Sequence, residues 1–292
     1  MRGIKAITYP YKTTPSGQIF LDVYLSGQPD SPVVIHLHGG ALIWGTRKSI
    51  NPEQLGMYLE AGFSVVSIDY RLAPETKLTE IVEDVRDALL WIRNDLSATH
   101  GISSRRVGVV GHSAGGYLAL LMGTYSETRP KVIVAFYGYG DITGEWYSQP
   151  SDFYCTMPAV SQEEALAVVG TKPLSEGARD RFQYYLYCRQ KGIWTDMVAG
   201  LNPSRDRDRL MPYCPAHRVD GDFPPTLLIH GTDDTDVPYD QSLLMAENLE
   251  KAGVHHELMT VRGAGHVFDM DMFEEHSQQA VERAIGFLKE HL

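Results

Sequence analysis

Apolar residues in this chain gather into short unbroken runs rather than alternating ones. PVVIHLH (32–38), FSVVSID (63–69), RVGVVG (106–111), KVIVAFYG (131–138) and PTLLIHG (225–231) are rich in β-branched residues and have no polar face. A strand reads this way when both of its faces are covered, as in a parallel sheet. Two earlier segments, IKAITYP and GQIFLDVYL, alternate instead, which predicts an antiparallel pair at a sheet edge. ELMTVRG (257–263) predicts a last strand. Helical periodicity fills the gaps. In LTEIVEDVRDALLWIRNDL, residues Ile81, Val85, Ala88, Leu89, Ile92 and Leu96 share one face. Thr79 is placed to cap this helix, and Glu80, Glu83 and Asp84 favour the positive end of its dipole. The stretch from Met272 to Leu288 predicts a final helix. Strands alternating with helices predict an α/β protein with a doubly wound, mostly parallel sheet and right-handed crossovers.

Residues 141–222 break this rhythm. SQEEALAVVG carries a capping box, Ser161 with Glu164, and Gly170 as a stop. SEGARDRFQYYLYCRQKG predicts a second helix ending at Gly192, and IWTDMVAG a short third one. The expectation is a single domain over residues 1–292 with a helical cap inserted at about 141–222. No internal repeat or low-complexity tract interrupts it.

Composition narrows the partners. With 43% hydrophobic and 22% charged residues, the chain can build a large core. A net charge of −11 argues against nucleic acid and anionic membranes, whose affinity rests on clustered Lys and Arg. No run approaches the roughly 18 apolar residues of a membrane span, and the opening MRGIKAITYPYKTT lacks the apolar middle of a secretory signal. Cys155, Cys188 and Cys214 are odd in number and widely spaced. They match neither a disulfide framework nor a CxxC metal site, and the expected compartment is a reducing cytoplasm. His36, His38 and His230 lack zinc-ligand spacing, so neither a metal nor a cofactor is expected.

The candidate chemistry sits at strand ends. VVGHSAGGYLAL (109–120) places Ser113 among glycines between an apolar run and a helical one. Ser113 is either a helix cap in a loose loop or a nucleophile on a tight strand-to-helix turn. In an open parallel sheet, ligands bind beyond the carboxyl ends of the strands. HLHGGALIWG, Ser113, HGTDDTDVP and GAGHVFD all follow strands, so one sheet edge gathers a hydroxyl, carboxylates, an imidazole and backbone N–H groups. Several of Asp233, Asp234, Asp236 and Asp240 must then be ordinary turn residues.

Five motifs in order carry a resemblance: H-G-G (38–40), D-Y-R-L-A-P-E (69–75), G-H-S-A-G-G (111–116), H-G-x-x-D-x-x-V-P (230–238) and G-H (265–266). Together they span most of the chain, which resembles the α/β-hydrolases and, among them, the hormone-sensitive-lipase-type esterases and lipases. Ala41 stands where that family often has a third glycine, and the cap is expected in the 141–222 insertion rather than in the longer N-terminal cap of the family's larger members. The resemblance implies Ser113 as nucleophile, His266 as base, and the D of H-G-x-x-D, Asp234, as the acid, with Asp233 its rival. It also implies that the oxyanion is held by the N–H of Ala114 and by Gly40 with Gly39 or Ala41. Asp69, Arg71 and Pro74 read as structural. Trp44, Trp146, Tyr147, Phe153, Tyr154, Tyr185, Trp194 and Tyr213 either wall a substrate pocket or form a core of the cap. Trp44, Trp146, Tyr185 and Trp194 are the substrate contacts expected among them. The implied activity is hydrolysis of a small-molecule carboxylic ester; the little room in a short cap predicts small or medium acyl groups, aromatic ones among them, and a homodimer is the candidate assembly. An arylformamidase or peptidase-type amide hydrolase would use the same three residues, and a binding protein on the same fold would typically have lost Ser113 or His266.

Overall fold

The computed structural model describes residues 4–103 and 105–292. Eight strands form one sheet: β1 (Ile7–Thr14), β2 (Gly17–Tyr24), β3 (Val33–Leu37), β4 (Ser64–Ile68), β5 (Val107–His112), β6 (Val132–Phe136), β7 (Thr226–Gly231) and β8 (His256–Val261). Their spatial order is β1-β2-β4-β3-β5-β6-β7-β8. The β1–β2 and β2–β4 pairs are antiparallel, and the other five pairs are parallel. The order doubles back at β3, so the helices that follow lie on both faces, as the alternating pattern predicts.

The unbroken apolar runs are explained by that double cover. Val33, Ile35 and Leu37 of β3 face one core cluster, with Ile81, Val85 and Leu89 of α2 (Leu78–Trp91) and Leu118 and Leu121 of α3 (Ala114–Met122). Val34 faces the opposite cluster, with Leu55 and Tyr58 of α1 (Pro52–Glu60) and Val281, Ala284 and Phe287 at the chain's end. Successive side chains on a strand point to opposite faces, so a strand buried on both needs apolar residues at every position. Edge strand β8 is covered on fewer sides, and its residues His256–Thr260 remain partly exposed.

Where boundaries differ from the pattern, a specific bond accounts for it. β1 starts and ends later than IKAITYP, with a register shift between Pro10 and Lys12 that accommodates the missing proline N–H on an edge strand. Thr79 does not cap α2. It lies inside the first turn, its hydroxyl 2.7 Å from the Tyr213 hydroxyl, and Lys77 holds the cap position with its N–H on Glu80. The capping box of Ser161 and Glu164 opens the helix Gln162–Ala167. Gly170 does not end that helix but donates its N–H to Glu75, at 2.7 Å. The next helix, α4 (Phe182–Lys191), ends at Gly192 in the left-handed conformation but begins later than periodicity suggests. Gly177 ahead of it pairs with Gly45 in a two-way backbone bridge, which keeps that stretch extended. Trp194–Ala199 is the expected short helix, ended by left-handed Gly200. After α5 (Asp240–Lys251), the last helix α6 (Glu275–His291) starts three residues late, because Asp271 accepts the Phe273 N–H in a turn. Among the described residues, no helix is long and apolar enough to cross a membrane.

Asp69, Arg71 and their neighbours tie the sheet edge to its loops. Asp69 is fully buried and accepts the Arg47 N–H at 2.6 Å and its guanidinium in a short ion pair, while Arg71 grips Asp84 through two bonds of 2.7 and 2.8 Å. Arg181 fastens the inserted segment in the same way, bonding Glu75 and the carbonyls of Ile43 and Ala73.

Candidate active site

Strand β5 ends at His112 and α3 begins at Ala114, so Ser113 alone makes the turn between them. Its φ of 55° and ψ of −118° are sparsely populated for any residue with a Cβ and cost roughly 1–3 kcal/mol. The surroundings impose this conformation. The Ser113 N–H is bonded to the Phe136 carbonyl at 2.9 Å, and α3 is pressed against the end of β3. A Cβ at Gly115 would lie 2.0 Å from the Leu37 carbonyl oxygen, and one at Gly111 would lie 2.1 Å from that of Gly115. Close approach, not backbone freedom, is therefore why the serine is flanked by glycine. Ser113 makes no capping bond to α3, so the reading of it as a helix cap fails.

Three of the loops that follow strands bring their polar groups to this turn. Ser113 Oγ lies 3.0 Å from His266 Nε2, and His266 Nδ1 lies 2.7 Å from Asp234 Oδ2. The other oxygen of Asp234 accepts the N–H groups of Asp236 and Val237, at 2.8 and 2.9 Å. Buried His230 sits beneath: its Nε2 is 3.2 Å from Asp234 Oδ2 and 3.0 Å from the Val237 carbonyl, and its Nδ1 is 2.7 Å from Ser242 Oγ. Two acceptors at Nε2 require the proton there, leaving Nδ1 to accept from Ser242. Burial opposes the charge on Asp234, but the hydrogen bonds from His230 and His266 overcome it and hold the carboxyl well below its usual range. Asp233, the rival acid, is exposed and accepts from the Thr232 hydroxyl at 2.8 Å.

His266 is largely buried, which disfavours its charge, yet its pKa is raised because Asp236, Asp234 and Asp269 outweigh the burial. Asp269 was not singled out in the sequence. It lies three residues past His266, fully buried, and accepts from the Tyr137 hydroxyl at 2.5 Å and Gln54 Nε2 at 2.8 Å. His112 Nε2 stands 3.1 Å from it, and these partners hold its pKa at about 2 against burial. The Tyr137 ring in turn stands edge-on to His266, with centroids 4.7 Å apart. The D in GAGHVFD was the available signal, but nothing in its spacing distinguishes it from a loop carboxylate.

The H-G-G loop lies directly against Ser113. A Cβ on Gly39 would stand 3.0 Å from the His112 carbonyl and 3.3 Å from Ser113 Cβ. Gly40 has φ 106°, and its carbonyl accepts the N–H groups of Ile43 and Trp44, at 2.8 and 3.0 Å. Ala114 is the first residue of α3, where N–H groups have no partner within the helix. Ala41 has a φ of 53°, a conformation that favours glycine, and its carbonyl is occupied by the Trp194 indole N–H at 3.1 Å.

A cavity of about 730 Å³ opens at Ser113, and its lining includes the aromatic Trp44, Phe153, Tyr154 and Phe182 and the polar His36, Asn51, Gln54 and His112. Trp146, Tyr185 and Trp194 do not line it, which corrects the expectation that they touch substrate. Trp194 and Tyr185 are almost wholly buried. Tyr147 stacks between Trp146 and Trp194, at 3.6 and 3.8 Å, so these rings form the core of the cap. Phe182, which the sequence reading passed over, does reach the cavity. Among the described residues, no group of three His, Cys, Asp or Glu side chains is arranged to hold a metal.

The family model described as BD-FAE matches residues 21–249. Over 351 aligned positions the chain is 30% identical to non-reducing polyketide synthase pkbA of Emericella nidulans, matching 97% of this chain to 14% of that protein. The chain thus spans a small part of the length of the curated relatives it matches. An α/β-hydrolase superfamily protein from Enterococcus faecalis superposes with a TM-score of 0.77 at 23% identity, covering 99% of this chain and 100% of that one. EstE1, a thermostable carboxylesterase cloned from a metagenomic library, superposes with a TM-score of 0.72 at 21% identity, covering 99% and 88%. The fold is that of the α/β-hydrolases.

Proposed function

Because the chain belongs to the BD-FAE family, we propose that it is a serine hydrolase cleaving carboxylic esters of small or medium acyl groups, aromatic ones included, through an acyl-enzyme. One observation carries this reading: an unbroken chain of contacts, Asp234 to His266 to Ser113, ends on a strained turn that opens into a cavity of about 730 Å³.

Asp234 fixes the proton of His266 on Nδ1 and leaves Nε2 as an acceptor facing Ser113 Oγ. As Oγ forms its bond to the acyl carbon, its proton passes to Nε2, and the carbonyl oxygen takes up the negative charge. We assign the donors for that charge to the N–H of Ala114 with those of Gly39 and Gly40, leaving out Ala41. The bond to the alcohol oxygen then breaks, and Nε2–H protonates the departing alkoxide. Water repeats the sequence on the acyl-serine, returning the proton to Ser113 and releasing the acid. The acyl group is read by Trp44, Phe153, Tyr154 and Phe182, a wall that an aromatic or short aliphatic acyl chain can fill. No metal or cofactor enters this scheme. Three unpaired cysteines support a reducing cytoplasm as its compartment; the two buried thiols, Cys188 and Cys214, are pushed up to about 12 by burial and stay inert.

A panel of nitrophenyl esters from acetate to palmitate, with feruloyl methyl ester, N-formylkynurenine and aminoacyl anilides, tests the assignment. Turnover of the shorter esters abolished by Ser113→Ala is the expected result. Activity confined to the formamide or the anilides would replace esterase by amide hydrolase, and inactivity on all of them would favour a binding protein.

A further inference from the structure

The proposed mechanism places one carboxylate on the imidazole, at Nδ1. The structure sets a second against the other nitrogen. Asp236 Oδ2 lies 3.4 Å from His266 Nε2, the atom that also faces Ser113 Oγ. Asp236 shares a loop with Asp234 and is bonded to it through its own N–H, so the two acids flank a single ring. Its remaining oxygen is fully engaged by the cap. Oδ1 accepts a short hydrogen bond from the Tyr185 hydroxyl and another from Arg189 Nη1 at 2.7 Å. Arg189 Nη1 also donates to the Asp236 carbonyl at 3.1 Å and to the Tyr185 oxygen at 2.5 Å. Both Tyr185 and Arg189 belong to α4, and Arg189 is 3% exposed. Its guanidinium lies 4.9 to 5.7 Å from the ring centres of Tyr147, Tyr154, Tyr185 and Trp146, which hold it in one place.

We propose that Asp236 is a further catalytic residue, held by Arg189 and Tyr185 so that Oδ2 meets the Nε2–H of the imidazolium each time Ser113 gives up its proton. The inference rests on His266 being the base. In the resting enzyme Nε2 accepts from Ser113 and offers Asp236 nothing. After proton transfer Nε2 becomes a charged donor with a carboxylate oxygen already beside it, so the attraction is gained as the charge develops. Arg189 and the Tyr185 hydroxyl together fix the carboxylate in this position through Oδ1, which leaves Oδ2 turned to the imidazole. The cap thereby does more than wall the cavity: it positions part of the catalytic machinery.

Four groups face His266: Asp234 and Asp236 from the loop after β7, Asp269 from its own loop with His112 behind it, and the Tyr137 ring from the end of β6. Burial lowers the pKa of His266, and Asp236, Asp234 and Asp269 together raise it. A carboxylate that merely docked the cap on the loop would leave kcat on the alkaline plateau unchanged when neutralised in a folded enzyme.

The test titrates the His266 ring by NMR and measures kcat/KM against pH in the wild type, Asp236→Asn, Tyr185→Phe and the exposed control Asp233→Asn. In Asp236→Asn both the ring titration and the acid limb move to lower pH, by about half a unit or more, and kcat on the alkaline plateau falls by roughly threefold to tenfold. Tyr185→Phe takes a donor from the carboxylate but leaves its charge, so its shift has the opposite sign and keeps the test open should Asp236→Asn fail to fold. Asp233→Asn shifts neither curve. Asp236→Asn titrating with the wild type, or losing stability alone, overturns the assignment. A wild type that hydrolyses no ester overturns the proposed function along with it, whereas ester hydrolysis with an unmoved titration overturns the role of Asp236 alone.

Discussion

Replacing Asp234 by Asn tests how the base is prepared. Four donors converge on this carboxylate: the N–H groups of Asp236 and Val237 on Oδ1, and His266 Nδ1 and His230 Nε2 on Oδ2. An amide has one acceptor oxygen. If that oxygen keeps the two backbone bonds, the amide NH₂ points at two ring nitrogens that are themselves donors. His266 relieves its clash by moving its proton to Nε2, where it can no longer accept from Ser113. The same isosteric change in a serine protease lowered kcat by about 10⁴ for this reason, so a loss of 10² to 10⁴, about 3–5 kcal/mol of barrier, is expected here. His230, held by Val237 and Ser242, cannot relieve its own clash in this way and adds a folding cost of about 1–3 kcal/mol. The assay is kcat at saturating ester for both single variants and the double variant with Asp233→Asn, alongside thermal unfolding. Asp233 is exposed, so Asp233→Asn should cost less than about tenfold. A folded Asp234→Asn enzyme within tenfold of wild type, with Asp233→Asn severely impaired, would refute the reasoning.

Three further outcomes are expected. Because His266 must be neutral to accept a proton and its pKa is raised, kcat/KM for a neutral ester rises with pH through a value above the ordinary histidine value of about 6.5 and is flat beyond it; an acid limb below that value contradicts the electrostatics. Ser113→Gly removes a side chain from a left-handed φ, so differential scanning calorimetry should show stability raised by about 1 kcal/mol while esterase activity is lost, and a lower Tm argues against strain at the turn. Trp194→Ala should destabilise by about 3–5 kcal/mol and leave acyl-chain preference unchanged, whereas Trp44→Ala should change the preference; the reverse pattern would put Trp194 back at the substrate.

The sheet was legible because burial on both faces leaves a direct mark, runs of mostly apolar residues in β3 through β7 with only single polar positions such as His36, Ser67 and His230 between them. The Ser113 turn was legible for a related reason: two backbones in contact exclude every side chain larger than hydrogen, and Gly111 and Gly115 record that contact. The resemblance carried by the five motifs then pointed to His266 and Asp234. Other features depend on partners remote in sequence. The start of α4 is set by Gly45, and Thr79 is drawn from its capping role toward Tyr213. The division of the cap aromatics into wall and core depends on stacking among Trp146, Tyr147 and Trp194, which composition cannot sort. Asp236 and Asp269 resemble any loop carboxylate until the fold sets them against His266. Ala41 took a positive φ despite its side chain, and no local rule predicts that.

The central claim is that Ser113 is the nucleophile, made reactive by His266. Its most direct test is intact-mass analysis of the protein treated with a fluorophosphonate, followed by peptide mapping of the adduct. One adduct per chain, on Ser113, formed more slowly as pH falls and absent from Ser113→Ala, is the predicted result. An adduct on any other residue, or an unmodified Ser113 at neutral pH, would contradict the account.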